Sequence, residues 1–295
     1  MESRSPRRVT VVEVGPRDGL QNEPATVTVA DRITFVNRLS AAGLPVIEVG
    51  AFVSPKWVPQ MHGTAAVFAG ITRREGVRYS ALVPNMVGLE HAMTAGVREI
   101  AIFAAASETF SRKNINQSID QSLTAYAQVC RSALAAGVRV RGYVSTAFGC
   151  PYEGPVTPQA VADVSARLEG MGVFEVAVSD TIGVAHPGQV PVVLEAVFAR
   201  LPLEKVALHF HDTRRMALVN VLTAMQMGVS TFDASAGGLG GCPYAPGASG
   251  NLATEDLLYM LDGMGIVTGV SRDAVAEASA FIGTKIRRSP VDAKR

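Results

Sequence analysis

His209 and His211 stand one residue apart at the end of an apolar run, Val206-Ala207-Leu208. In an extended strand, residues i and i+2 share a face, so both imidazoles would leave the strand in the same direction. Two imidazole nitrogens aimed at one point suit a divalent metal. An isolated His-x-His is more often a pair of ordinary polar residues, so the assignment depends on what else the chain brings there. A hard ion would want oxygen ligands beside the rings. Asp18, in the tight turn Gly15-Pro16-Arg17-Asp18-Gly19, is the best carboxylate, and Asn251 offers an amide oxygen from the far end of a glycine-rich stretch. One carboxylate, two imidazoles and a neutral amide leave the ion positively charged with open positions. That set suits Mg²⁺ or Mn²⁺, admits Co²⁺ or Zn²⁺, and does not suit a closed structural zinc.

These residues need a scaffold that gathers them. Apolar runs predict strands over Val9–Val14, Val46–Gly50, Arg78–Val83, Glu99–Phe103, Val138–Ser145, Phe174–Ser179, Val206–His211 and Thr231–Ala234. Helical patterns fall between them, at Val29–Ala42, Val58–Ile71, Gly88–Ala95, Ser118–Ala136, Pro158–Met171, Val190–Leu201 and Met216–Met227. Several of these end at a glycine before the next strand, as at Gly43, Gly96, Gly137, Gly172 and Gly228, where glycine supplies the left-handed C-cap. Near-continuous apolar strands alternating with helices predict a parallel sheet covered by helices. Eight regular units favour the closed (β/α)8 TIM barrel over a doubly wound open sheet. No linker is apparent, so one domain is expected, with its core over about 9–286 and a glycine-rich loop and extra helices after the eighth strand.

With 48% hydrophobic residues over 295, the chain can bury a large core. Its 27 basic and 26 acidic residues nearly cancel and are dispersed, so neither nucleic acid nor an anionic membrane is expected as a partner. No apolar run is long enough to span a bilayer. Arg4, Arg7 and Arg8 lack a following apolar segment and do not read as a targeting signal. Three separated cysteines, Cys130, Cys150 and Cys242, fit a reducing, cytoplasmic setting better than a disulfide framework.

In such a barrel, chemistry belongs at the C-terminal strand ends. Those ends carry Arg17 and Asp18, then Glu48, then Arg141 and Tyr143, then Asp180, then the histidine pair. Each has an ordinary reading alone: Glu48 as a solvent-facing strand residue, Asp212 as a helix cap. Their convergence on one predicted face carries the argument. The segment Gly237-Gly238-Leu239-Gly240-Gly241-Cys242 lacks the dinucleotide spacing and does not open a βαβ unit. It reads instead as a glycine-hinged arm that brings Cys242 over the barrel mouth. Cys130 reads as a buried structural cysteine.

The segments Gly15-Pro16-Arg17-Asp18-Gly19-Leu20-Gln21-Asn22-Glu23, Phe52-Val53-Ser54-Pro55-Lys56-Trp57-Val58-Pro59-Gln60-Met61, Arg141-Gly142-Tyr143-Val144-Ser145, Asp180-Thr181-Ile182-Gly183, His209-Phe210-His211-Asp212-Thr213 and Gly238-Leu239-Gly240-Gly241-Cys242-Pro243-Tyr244 resemble the 3-hydroxy-3-methylglutaryl-CoA lyases. The Arg-Asp turn and His-x-His are shared with a wider family of metal-dependent barrel lyases and synthases. The cysteine arm and the Phe-Val-Ser-Pro-Lys-Trp segment are specific to the lyases. The resemblance implies a divalent metal held by Asp18, His209, His211 and Asn251, an acyl-CoA substrate and a homodimer. It implies retro-Claisen cleavage to acetyl-CoA and acetoacetate.

In that reaction Arg17 stabilises the thioester enolate and Cys242 protonates its carbon. Asp18, Asp180, Glu48 and His209 are candidates for the base that takes the hydroxyl proton. Arg17 and Arg141 are expected to bind substrate. The chain departs from the family pattern at Pro24, at Gly50-Ala51 in place of a Thr-Ser pair, and at Arg214-Arg215-Met216. Lost hydroxyls and added arginines near the mouth raise a related thioester as the alternative substrate, citramalyl-CoA or a longer branched glutaryl-CoA. A condensing synthase or aldolase and a metal-free binding barrel are the remaining alternatives.

Overall fold

The apolar runs form strands, and each of the eight barrel strands pairs in parallel with its neighbours. The computed structural model describes residues 6–242 and 245–286; for 241–242 and 245–249 it describes the backbone only. The strands are β1 (Thr10–Glu13), β2 (Val46–Ala51), β3 (Arg78–Leu82), β4 (Glu99–Ala105), β5 (Arg139–Ser145), β6 (Glu175–Asp180), β7 (Val206–Phe210) and β8 (Thr231–Ala234). Strand β8 pairs back onto β1, with Val12 opposite Asp233, and the sheet closes into an eight-stranded barrel.

The outer layer consists of α1 (Val29–Ala41), α2 (Thr64–Gly70), α3 (Met86–Thr94), α4 (Glu108–Ile115), α5 (Ile119–Ala135), α6 (Pro158–Gly170), α7 (Val190–Phe198) and α8 (Ala217–Gln226), followed by α9 (Thr254–Gly263) and α10 (Arg272–Ile286). Their apolar faces bury Phe35, Leu39, Leu123, Val161, Leu194 and Val221 against the strands. The five glycines expected to end helices all have positive φ, as at Gly43 (+91°) and Gly228 (+99°). Gly241–Cys242 and Ala245–Ser249 form a small antiparallel pair, β9 and β10, inside the glycine-rich arm.

Three local features differ from the sequence-based expectation. The second helix begins at Thr64, because Pro59 leads a 3-10 turn over Pro59–Met61 and Gly63 takes a left-handed φ of +77° just before it. Helix α4 was not expected. It is short and polar on most of its surface, and its N-terminus is set by Ser107, whose hydroxyl accepts from Phe110 N. The turn Gly15–Gly19 is a π-helical turn, a form that recurs at functional sites.

A register shift between Glu48 and Gly50 breaks the alternation of β2. Glu48 therefore faces the barrel interior while Gly50 faces the helices. A Cβ at Gly50 would lie 2.7 Å from Arg32 Nη2 and 2.8 Å from Thr64 Oγ1. Arg32 is buried there and donates to the His62 carbonyl (2.9 Å) and to Thr64 Oγ1 (3.2 Å), which ties the segment after β2 to α1.

Candidate active site

The C-terminal mouth of the barrel opens into a cavity of about 800 Å³. Its floor is built from Arg17, Asp18, Tyr143, His209 and His211, and its rim includes Val53, Trp57, Lys113 and Asn116. His209 lies inside β7, and His211 lies just beyond it, bridged to Asn251. The shared strand face brings their Nε2 atoms to 3.1 Å from each other, and each is 3.9 Å from Asp18 Oδ2. Asp18, His209 and His211 place ligand atoms within 4.8 Å of one another, an arrangement able to hold a divalent metal. The donor chemistry fits. Burial, then the neighbouring His209, lowers the His211 pKa to about 3, so the ring is neutral and keeps a lone pair. Burial alone would raise the Asp18 pKa, but Arg17, followed by the two histidines, outweighs it and holds the carboxyl below the usual range.

Asn251 reaches the same point from the far end of the arm. Its Nδ2 donates to Asp18 Oδ2 (2.8 Å) and to the Leu239 carbonyl (3.1 Å), so Oδ1 is the atom it would offer to an ion. The approach is close. A Cβ at Gly240 would stand 2.8 Å from Asn251 Nδ2, and Gly240 also has a φ of +97°. Gly240 N donates to buried Glu23 Oε1 at 3.1 Å, which fixes the base of the arm beside the first turn.

Arg17 lies over the floor between two carboxylates. Its Nη1 is 2.5 Å from Asp18 Oδ1, and its Nε is in close contact with Glu48 Oε1. Burial opposes its charge, but Glu48 and Asp18 more than compensate and hold the guanidinium pKa above its usual value. The other Glu48 oxygen accepts from the Tyr143 hydroxyl (3.0 Å). Glu48 is thus committed to Arg17 and Tyr143 and does not line the cavity. Asp180 does not line it either, although Ser179 and Thr181 on each side do. Its oxygens accept from Val184 N (2.9 Å) and Ala185 N (3.0 Å), and burial raises its pKa to about 6 against those hydrogen bonds. Of the four base candidates, Asp18 and His209 alone face the cavity.

Arg141 occupies a different place from the one expected of a substrate-binding cation. It is buried below the floor and does not line the cavity. Its Nε donates to Glu175 Oε1 (2.7 Å), Nη1 to the Tyr143 hydroxyl (2.8 Å) and Asp233 Oδ2 (3.1 Å), and Nη2 to Asp233 Oδ1 (2.8 Å). Asp233 Oδ2 also lies 3.1 Å from His209 Nδ1. Polar contacts therefore run from Asp18 through Arg17, Glu48, Tyr143, Arg141 and Asp233 to His209. Asp233 was missed in the sequence. Its signal was a lone carboxylate within the short apolar eighth strand, where it stands opposite His209.

Glu13 was missed too. It is fully buried at the end of β1, where Oε1 accepts from Gly15 N (2.8 Å) and Ala236 N (2.9 Å), and Oε2 from the Thr254 hydroxyl (2.7 Å). It pins the Arg17-Asp18 turn to the base of the arm. Cys130 and Cys150 are free and buried. The Cys242 side chain, expected to act as an acid, lies outside the described residues. Asp212 is a cap, as its ordinary reading had it: Oδ1 accepts from Ala217 N at the start of α8. Neither sequence departure at the mouth enters the cavity. Gly50 faces Arg32, and the exposed segment Arg214–Met216 is absent from the lining.

A family model described as HMGL-like matches residues 8–282. The chain is 54% identical over 283 residues to the mitochondrial hydroxymethylglutaryl-CoA lyase of Bos taurus, covering 96% of this chain and 87% of that protein. It is 53% identical over 284 residues to a Pseudomonas aeruginosa protein named 3-hydroxy-3-isohexenylglutaryl-CoA/hydroxy-methylglutaryl-CoA lyase, covering 96% and 95%. A crystal structure of hydroxymethylglutaryl-CoA lyase from Pseudomonas aeruginosa superposes with a TM-score of 0.96 at 52% identity, covering 99% of this chain and 98% of that one.

Proposed function

Because the chain belongs to the HMGL-like family, we propose that it is a carbon–carbon lyase that cleaves 3-hydroxy-3-methylglutaryl-CoA to acetyl-CoA and acetoacetate. The observation that carries this reading is the convergence of Asp18, His209 and His211 on the floor of one cavity, with Arg17 beside them. The departures that argued for another acyl group lie away from that cavity, so the namesake substrate is preferred.

Asp18, His209, His211 and the Asn251 amide oxygen would hold a divalent ion, for which Mg²⁺ or Mn²⁺ suits the mixed oxygen and imidazole set. Such an ion supplies Lewis-acid polarisation of the substrate's tertiary hydroxyl and lowers its pKa. The hydroxyl proton passes to the floor carboxylate Asp18, because His209 would hold the ion through Nε2 while its Nδ1 faces Asp233. The C2–C3 bond then breaks: the hydroxyl carbon becomes the ketone of acetoacetate, and the electron pair leaves on C2 as the thioester enolate. Arg17 donates to the enolate oxygen, its guanidinium held in place by Glu48 and Asp18. Cys242 returns a proton to C2, giving acetyl-CoA; this role rests on the family resemblance.

The cytoplasmic setting and the homodimer remain parts of this proposal. Two free buried cysteines support a reducing compartment. Among the described residues no helix is long and apolar enough to cross a membrane. The deciding experiment is an assay of purified protein with 3-hydroxy-3-methylglutaryl-CoA, with Mg²⁺ or Mn²⁺ and after EDTA treatment, quantifying acetyl-CoA and acetoacetate together. Equimolar products that depend on the metal are expected. Absence of cleavage with either ion would overturn the assignment.

A further inference from the structure

The two imidazoles of the metal-binding pair are not equivalent. His209 Nδ1 faces a carboxylate oxygen, Asp233 Oδ2, at 3.1 Å. Asp233 stands opposite His209 in the β7–β8 register, and its side chain is completely enclosed. Arg141 grips that carboxylate with both Nη atoms and is itself held by Glu175 and Tyr143. A carboxylate in that grip is an acceptor only. A bare Nδ1 would set two lone pairs against each other, so Nδ1 carries the hydrogen and Nε2 is the nitrogen left to face the cavity.

Among the described residues the buried Nδ1 of His211 has no hydrogen-bond partner, so no carboxylate fixes its ring as Asp233 fixes that of His209.

We propose that Asp233 is a positioning residue that fixes His209 in its Nδ1–H tautomer, so this ring is preset to offer Nε2 as a ligand. Arg141 keeps Asp233 in place and so acts on the site through two intermediates. The inference rests on the reading of Asp18, His209 and His211 as a metal site. It explains why the Arg141 guanidinium, in the first half of β5, lies below the cavity and not in it.

The test uses the full chain, stripped of metal and labelled with ¹⁵N in its histidine rings, with His209 assigned from the signals lost in His209→Gln. A long-range proton–nitrogen correlation spectrum near neutral pH is expected to show His209 with Nδ1 protonated and Nε2 bare. A His209 ring bare at Nδ1 would overturn the proposal, whatever the metal affinity. Mn²⁺ titration of Asp233→Asn is expected to show affinity lowered by roughly 10- to 100-fold, and Arg141→Lys a smaller loss. Unchanged Mn²⁺ affinity in a folded Asp233→Asn protein would also overturn it. If that variant does not fold, the wild-type spectrum decides alone. Failure of the wild type to take up Mn²⁺ would instead count against the metal site, an outcome separate from the tautomer result.

Discussion

Asn251 donates through Nδ2 to Asp18 Oδ2 across 2.8 Å, although 233 residues separate the two in the chain. The same amide reaches the Leu239 carbonyl at the start of the arm. One side chain thus joins the turn after the first strand to both ends of the arm that carries Cys242. Asn251→Ala removes both hydrogen bonds and the amide oxygen. Mn²⁺ affinity, followed by calorimetric titration, is expected to fall by on the order of tenfold or more. Wild-type affinity would remove Asn251 from the ligand set.

Arg17 presents a planar fork to Glu48 and Asp18, which a lysine cannot reproduce. Arg17→Lys is expected to lower kcat by roughly 10²- to 10³-fold, the scale for losing a preorganised donor to a developing oxyanion. Mn²⁺ binding should stay near that of wild type. Steady-state kinetics check this, and a kcat within a few-fold of wild type would rule out the enolate role.

Arg141→Met leaves Asp233 and Glu175 without their shared cation in a buried site. Loss of one partner from such a pair costs about 3–5 kcal/mol. Urea unfolding is expected to show a loss of that order. A variant with wild-type stability and a raised KM alone would restore Arg141 to substrate binding.

Glu13 gives a pH prediction. Burial raises its carboxyl from 4.5 to about 8, against the hydrogen bonds from Ala236, Thr254 and Gly15. The fold therefore favours the protonated form. Its contribution is fully present below pH 4.5 and is lost as pH rises to about 8, at up to about 1.4 kcal/mol per pH unit. Glu13→Gln fits the same partners: the amide oxygen can accept from Gly15 N and Ala236 N, and the amide nitrogen can donate to the Thr254 hydroxyl. Thermal unfolding between pH 5 and about 8.5 should show the wild type losing stability relative to Glu13→Gln as pH rises. Parallel curves would falsify the assignment.

Much of this protein was determined by local sequence. Buried parallel strands read as apolar runs, so all eight strands were visible in the chain, along with the glycines that end the helices before five of them. Strand periodicity put His209 and His211 on one face, and strand ends picked out Asp18 and Arg17, because each of these depends on a few neighbouring residues. Other features depended on closure of the barrel. Arg141 and Asp233 are 92 residues apart and meet only in the closed barrel, which turns an expected substrate ligand into a buried support. The register shift after Glu48 sends Gly50 toward Arg32, so the lost hydroxyl there never faced the substrate. Asp180 closes its strand as expected and Glu48 lies within its own, but their oxygens are already committed, those of Glu48 to Arg17 and Tyr143 and those of Asp180 to backbone amides. Residue type and strand position say where a side chain starts. Where its charged end settles is decided by which buried partner can satisfy it, and tertiary contacts alone supply that partner.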